Sequence, residues 1–304
     1  MSETFVIPAM GWLPDYPDIR DVTFQSERVP SKLQALGQPS VKQMLAKVGA
    51  TTSAPAALPT SVDLRPWCSP MEDQQTIGSC TAHAGVGLVE YFERRAFGKH
   101  LDASRLFLYK VTRNLLKWTG DTGAFLRSTM YALTLFGVPP EEYYPYNIAD
   151  FDKEPSAFCY AFGQSYQAIS YYRLDPPGTT RSNLLTQIKT YLANGLPSMF
   201  GFTVYSSISQ ANTNGGKIPY PTPGERVLGG HAIDAVGYDD NLKIKNTNPG
   251  GIETTGALLI RNSWGTGWGS AGYGWLPYKY VLDGLATDWW SLIKSEWIDT
   301  GQFG

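Results

Sequence analysis

The chain has 304 residues, of which 42% are hydrophobic and 17% charged, and its formal net charge is −2. This length and composition predict a globular protein with a sizeable core. The near-neutral charge gives no reason to expect nucleic acid or an anionic membrane as a partner, because both require clustered Lys and Arg. No apolar run approaches the roughly 20 residues that cross a bilayer, and the first twelve residues, MSETFVIPAMGW, lack a signal-peptide pattern.

The first sixty residues differ in character from the rest. A weakly helical stretch, 31–48, carries an apolar stripe made of Leu33, Leu36, Val41, Met44 and Leu45. The small and Pro-rich stretch GATTSAPAALPT, residues 49–60, predicts an exposed linker and a cleavage region. We therefore expect an N-terminal extension over residues 1–60 and a main domain that begins near Ser61.

The first half of the main domain predicts helices. One follows GSC and has Cys80 in its first turn, with Gly98 closing it after Arg94 and Arg95. A second fits residues 122–136, where Gly137 stops it. A further amphipathic stretch follows at 182–193.

The second half predicts strands instead. The candidate strands, separated by Gly-, Pro- and Asn-rich loops, are LPSMFGFTVY, HAIDAVGY, ALLIRNSW and GYGWLPYKY. Residues 206–229 and 239–256 are expected to be long surface loops. The aromatic C-terminal stretch 288–297 is expected to pack on the domain. Helices followed by strands indicate an α+β protein.

Three cysteines, Cys68, Cys80 and Cys159, are too few for a disulfide scaffold, and an odd number leaves at least one thiol unpaired in a monomer. A thiolate attacks acyl carbonyls far better than a thiol does, so a nucleophilic cysteine needs a lowered pKa. A helix N-terminus and an adjacent protonated histidine both lower it. Cys80, at a predicted helix start, is therefore the candidate nucleophile.

Only three histidines could serve as its base. His231 is preferred because it opens a predicted strand after two glycines. His83 lies three residues along the helix of Cys80, a spacing that shares a helix face but rarely aligns two groups for proton transfer. His100 lies just beyond the helix end and is expected at the surface.

Three sequence blocks resemble the papain-like cysteine peptidases. Residues 74–82, QQTIGSCTA, resemble the family's Gln and Gly-Ser-Cys segment, and His231 follows at about the family's spacing. The most specific block, NSWGTGWG, begins at Asn262. The likeness extends over residues 61–281. It includes the motif DLRPWC near the start of the main domain and the YYPY motif that ends at Tyr146.

The resemblance implies a role for each matched residue. Cys80, His231 and Asn262 would form a Cys-His-Asn catalytic site, in which Asn262 orients the His231 ring. Trp264 would cover the bond between them. Gln74 would donate its amide to the oxyanion.

The match leaves one alternative open and adds one backbone residue. Gln75 replaces Gln74 if the match slips by one residue. Gly123, in the turn 120–123, resembles the backbone segment that binds extended substrate, and this match is made mostly on order.

The family likeness also implies a fold and an activity. The expected fold is two-lobed, with a helical lobe over residues 61–165 and an antiparallel, β-barrel-like lobe over 166–304, and with the cleft between them. The expected activity is hydrolysis of peptide or protein substrates through an acyl-enzyme, without metal or cofactor. An acyl transferase or peptide ligase using the same site, or a silent binding relative, is the alternative.

Regulation, assembly and location follow from the same likeness. Residues 1–60 stand where the family carries an inhibitory prosegment, although a structural extension is the alternative. We expect a monomer. A secreted location is expected because such zymogens are usually exported, with a cytoplasmic one as the alternative.

Two positions next to the nucleophile depart from the family pattern. Ile77 stands where the family usually has a cysteine, and Thr81 where it usually has an aromatic residue. The common disulfide near the site therefore cannot form, which suggests a divergent, bacterial-type member. Cys68 and Cys159 could pair with each other or remain two free buried thiols.

Overall fold

The structure, a computed structural model, describes residues 8–50, 57–163 and 169–304. In these residues the α-helices are α1 (Ser31–Ala35), α2 (Val41–Lys47), α3 (Cys80–Phe97), α4 (Arg105–Leu116), α5 (Leu126–Phe136), α6 (Ala157–Gly163), α7 (Arg181–Ala193), α8 (Tyr278–Leu282) and α9 (Ser295–Ile298). The β-strands are β1 (Ser61–Asp63), β2 (Ser170–Arg173), β3 (Ser198–Tyr205), β4 (Val227–Lys245), β5 (Glu253–Arg261), β6 (Tyr273–Pro277) and β7 (Ala286–Ile293).

The strands form one antiparallel sheet in the order β2-β7-β3-β4-β5-β6, and β1 pairs with β4. Helices α3, α4 and α5 pack against one another, and α3 also packs on β4. The α+β class and the two-lobed arrangement are confirmed, whereas the sheet is open and not a closed barrel. Within the described ranges, none of the helices has the length and apolar character needed to cross a bilayer.

The predicted helices of the main domain are present, and one of them begins later than expected. Helix α3 ends as expected at Gly98, whose positive φ of 73° lets its N–H reach the Arg94 carbonyl at 2.8 Å. Helix α5 begins four residues later than predicted because Ala124 is held extended against Trp12. Helix α4 was not predicted.

The strand region is more extensive than predicted. Residues 239–256, expected to be a loop, contain the ends of β4 and β5, which pair from Lys243↔Thr255 to Lys245↔Glu253. Alternation of polar and apolar residues there is weak, so the pairing depends on the neighbouring strand. The C-terminal stretch forms strand β7, which lies inside the sheet between β2 and β3.

The described residues 8–50 of the N-terminal extension contribute side chains to the same core. The predicted helix over 31–48 is two short helices, and in α2 the side chains of Val41, Met44 and Leu45 are buried. Leu36, expected on the same stripe, is 50% exposed because it lies at the end of α1. Residues 51–56 of the predicted linker lie outside the described residues.

Candidate active site

Cys80 is the first residue of α3 and is completely buried. Backbone N–H groups of Ala232, Gly11, Thr81 and Cys80 itself interact with its sulfur and favour the thiolate. Burial outweighs them and raises the pKa of the Cys80 thiol to about 11. The thiol is therefore protonated at neutral pH in this state.

His231 lies in β4, immediately before Ala232. Its Nε2 is 2.8 Å from Oδ1 of Asn262, and the indole of Trp264 stacks on its ring with centroids 4.6 Å apart. Nδ1 makes no hydrogen bond within the described residues. Burial lowers the pKa of His231 to about 4, with the Asn262 bond opposing. The imidazole is neutral at pH 7, and its free nitrogen is available for proton transfer.

Asn262 directly follows β5, the antiparallel neighbour of β4. Its backbone N–H donates to Gly272 O at 3.1 Å, and its Oδ1 also accepts the N–H of Ser263 at 2.8 Å. The sheet therefore brings together His231 and Asn262, which the chain separates by a long hairpin. Trp264 is buried beside them.

Gln74 is fully buried, and its amide is held in one orientation. Oε1 accepts the hydroxyl of Ser263 at 2.6 Å, while Nε2 donates to Ile77 O at 2.9 Å and to Ala9 O at 2.7 Å. Gln75 instead is exposed, with a positive φ of 55°. Between the two, Gln74 is the residue whose amide reaches a carbonyl oxygen in the cleft.

Residues 8–13, the cleft segment, lie along the cleft beside Cys80. The N–H of Ala124 donates to Gly11 O at 2.8 Å, and the N–H of Leu13 donates to Ala124 O at 3.1 Å. On the opposite wall, the N–H of Trp12 donates to Gly230 O at 3.1 Å. Both walls thus bind the segment as they would bind an extended peptide.

Gly123 lies next to the residue that makes these backbone bonds. Its own N–H is taken by the hydroxyl of Tyr109 at 3.1 Å, and a Cβ there would lie 2.3 Å from Gly11 O. Gly123 therefore leaves room for the cleft segment, while Ala124 pairs with it. The sequence contained no local signal for Ala124.

The remaining histidines and thiols lie outside this constellation. His83 is buried with Nδ1 3.1 Å from Ser79 O, and burial lowers its pKa to about 3. His100 is partly exposed, 3.5 Å from Arg94. Cys68 and Cys159 are separate buried free thiols, which agrees with the second of the two alternatives.

The sequence of this chain is similar to those of known proteins. The sequence model described as papain family cysteine protease matches residues 58–283. An uncharacterized peptidase C1-like protein of Acanthamoeba polyphaga mimivirus is 32% identical, over 95% of this chain and 88% of that protein. Cathepsin B-like CP3 of Giardia intestinalis is 28% identical, over 81% of each chain.

Solved protein structures are similar to this fold. The crystal structure of xylellain, a cysteine protease from Xylella fastidiosa, aligns with a TM-score of 0.72 and 32% identity, covering 94% of this chain and 96% of that one. Procathepsin L 3 from the larval midgut of Tenebrio molitor aligns with a TM-score of 0.58 and 19% identity, over 84% and 79% of the chains, and shares the fold. This chain therefore belongs to the papain family of cysteine proteases and is a hydrolase.

Proposed function

We propose that the chain is a cysteine peptidase that cleaves peptide bonds through Cys80, His231 and Asn262 and is held inactive by its own cleft segment. The observation that carries the proposal is the arrangement around β4. His231 is bound through Nε2 to Asn262 and its Nδ1 makes no hydrogen bond to the described residues, while the N–H of the next residue, Ala232, favours the Cys80 thiolate and lowers its pKa.

The chemistry follows from these positions. His231 Nδ1 removes the thiol proton of Cys80, and the sulfur attacks the peptide carbonyl. The Cys80 N–H and Gln74 Nε2 stabilise the oxyanion. His231 then protonates the leaving amine, and water hydrolyses the acyl-enzyme with the imidazole as base. Asn262 and Trp264 hold the ring in place throughout.

The cleft segment lies where a substrate would lie and engages both reactive groups. The Cys80 sulfur interacts with the N–H of Gly11, while the carbonyl oxygen of Ala9 accepts a hydrogen bond from the amide of Gln74. The segment therefore occupies the nucleophile and the oxyanion donor together. Some solved structures with the same fold are proforms, such as procathepsin L 3, and they are consistent with a zymogen of this kind.

The rest of the extension, residues 14–50, forms a belt that anchors this segment. Arg127 binds Asp21 at 2.7 Å and also pairs with Asp15, and Arg173 lies 3.4 Å from Asp21. Farther along, Ser295 donates to Gln38 at 2.9 Å. Because the belt is part of the core, we infer that activation requires displacement of the cleft segment and not loss of the whole extension.

The pH dependence of thiol alkylation tests the proposal. In the full-length chain we expect Cys80 to react slowly with iodoacetamide and faster as pH rises toward its pKa of about 11, because only the thiolate reacts. Opening the cleft lets water reach Cys80 and permits an ion pair between its thiolate and protonated His231. Cys80 in the Gly11→Val chain should therefore react with iodoacetamide well below pH 8. Mass spectrometry assigns the alkylated cysteine at each pH.

The control for this test adds His231→Ala to the Gly11→Val chain. We expect it to lose the reactivity below pH 8, because no imidazolium remains to stabilise the thiolate. Profiles that coincide with and without His231 would contradict the pairing of Cys80 with His231.

Tyr146 joins the two halves of the proposed oxyanion site. Its hydroxyl accepts a hydrogen bond from Ser79 Oγ at 2.7 Å and donates to Gln74 O at 2.9 Å. We expect Tyr146→Phe to lower kcat by about tenfold, the worth of one net hydrogen bond, with little change in KM. Steady-state kinetics in the Gly11→Val background measure kcat and KM separately.

Tyr143→Phe is the matched control, because Tyr143 belongs to the same motif but is 47% exposed. It should leave kcat unchanged. An equal loss in both variants, or a change confined to KM, would show that Tyr146 does not position the oxyanion donors.

A further inference from the structure

His83 lies on α3 one turn after Cys80, and its ring reaches back to the start of the helix. Nδ1 is 3.1 Å from the carbonyl oxygen of Ser79 and 3.3 Å from the Ser79 hydroxyl. That hydroxyl donates to Tyr146, because the Tyr146 hydroxyl itself donates to Gln74 O. Both oxygens beside Nδ1 are therefore acceptors, so this nitrogen carries the ring proton.

The Ser79 carbonyl belongs to the peptide unit that carries the Cys80 N–H. A trans peptide is planar, so the direction of its C=O determines the direction of its N–H. Ser79 has φ −90° and ψ 16°, which differs from the extended backbone usual at an N-cap, and its hydroxyl does not cap the helix. A side-chain donor on the Ser79 carbonyl oxygen therefore helps to hold this peptide plane.

The surroundings of His83 fix its ring and keep it neutral. The ring of Tyr146 meets it edge-on, with centroids 5.0 Å apart and an angle of 82° between the planes. Nε2 is buried and makes no hydrogen bond within the described part of the chain. Burial and the positive charges of Arg105 and Arg261 lower the pKa of His83 to about 3. At pH 7 the ring therefore has a single N–H, at Nδ1.

We propose that His83 is a positioning residue for the oxyanion donor, and that its Nδ1–H holds the Ser79–Cys80 peptide so that the Cys80 N–H points at the oxyanion. The inference rests on the proposed function. The backbone N–H groups of Ala82 and His83 donate to the same carbonyl oxygen at 3.0 and 3.1 Å. The imidazole adds a further donor, which also strengthens the Cys80 N–H because successive hydrogen bonds polarise one another.

Ser79 is thus held through both of its polar groups. His83 binds its carbonyl oxygen, and Tyr146 binds its hydroxyl and also the backbone of Gln74. The two proposed oxyanion donors, the Cys80 N–H and the Gln74 amide, are therefore tied to one buried residue. His83 acts through Ser79 and takes no part in proton transfer.

A matched pair of variants separates the two nitrogens of the ring. His83→Asn places an amide near the position of Nδ1, because both groups are bonded to Cγ, whereas His83→Gln places its amide near Nε2. In the full-length Gly11→Val chain we expect His83→Gln to lower kcat about tenfold, the worth of one net hydrogen bond, with KM unchanged. His83→Asn should retain most of kcat. Steady-state kinetics with a fluorogenic peptide measure both constants.

Alkylation of Cys80 is the control for damage to the nucleophile. Iodoacetamide reacts at a saturated carbon, where the sulfur displaces iodide and no oxyanion forms. Both variants should therefore be alkylated as fast as the Gly11→Val chain. Equal kcat in His83→Asn and His83→Gln, or a loss of alkylation in parallel with kcat, would overturn the proposal.

A second measurement does not depend on catalysis. Nitrogen NMR of the full-length chain with isotope-labelled histidine distinguishes protonated from unprotonated ring nitrogens, and His83→Asn identifies the His83 signals. At pH 7 we expect the proton of His83 on Nδ1 and that of His231 on Nε2, which faces Asn262 Oδ1. A proton on His83 Nε2 would overturn the inference. Absent hydrolysis in the Gly11→Val chain, with the His83 proton on Nδ1, would refute the proposed function alone.

Discussion

Replacing Gly11 by valine should switch on peptide hydrolysis in the full-length chain. A Cβ at Gly11 would lie 1.7 Å from the carbonyl oxygen of Gly78, which is backbone and cannot rotate away. Overpacking of this kind costs about 1–3 kcal/mol or more, which corresponds to a roughly 5- to 150-fold shift toward the open cleft. Initial rates with a fluorogenic peptide, compared with the parent chain, measure this shift.

The control for this activation is Leu36→Ala in the same extension. Leu36 is 50% exposed and lies far along the belt, so the rate should not change. A Gly11→Val chain that folds, as judged by circular dichroism, but hydrolyses no faster than the parent would show that the cleft segment does not inhibit.

The Gly11→Val substitution tests inhibition by the cleft segment more specifically than removal of the whole extension does. Deleting residues 1–60 would also remove Val41, Met44 and Leu45, which are buried in the common core. Large apolar side chains lost from a core cost about 2–5 kcal/mol each, so the truncated chain could lose activity by unfolding. Gly11→Val separates release of the cleft from damage to the fold.

Replacing Cys80 by serine in the activated Gly11→Val chain should abolish hydrolysis. The hydroxyl is a far weaker nucleophile in a site built around a thiolate, and loss of a nucleophile costs about 10⁴-fold or more in kcat. Asn262→Ala should cost less, roughly a hundredfold, because it misplaces the His231 ring without removing it. Active-site titration and steady-state kinetics give both values.

Cys159→Ser is the matched control for loss of a buried thiol. Cys159 lies beside Ser156 and Tyr143 O, in the helical lobe, and touches none of the proposed catalytic groups. Its replacement should leave kcat/KM within about twofold, as for a substitution away from the site. Comparable activity in the Cys80→Ser and Cys159→Ser chains would refute Cys80 as the nucleophile.

Local patterns in the sequence were enough to identify some elements. Helix α3 was predicted from apolar spacing and from Gly98, because a glycine with positive φ ends a helix through contacts within one turn. The preference for His231 over His83 also needed only local geometry, since residues on one helix turn rarely align for proton transfer. Candidate residues for the site were therefore available from the chain alone.

Other features depended on contacts between distant residues. Strand β7 reads as an aromatic C-terminal stretch, and it becomes a strand because β2 and β3 lie on either side of it. The tip of the β4–β5 hairpin, residues 239–256, has the sequence of a loop because its polar residues satisfy their backbone groups only by pairing. No local pattern distinguishes these segments from loops.

By itself the sequence determined the family, the α+β class and the candidates Cys80, His231 and Asn262, because motif residues and helix signals are local. Only the tertiary structure placed Gly11 on Gly78, Trp12 on Asp288 and the belt in the core. Those contacts join residues up to 276 positions apart. Local sequence patterns therefore cannot predict them. The occupied cleft is thus a property of the folded chain.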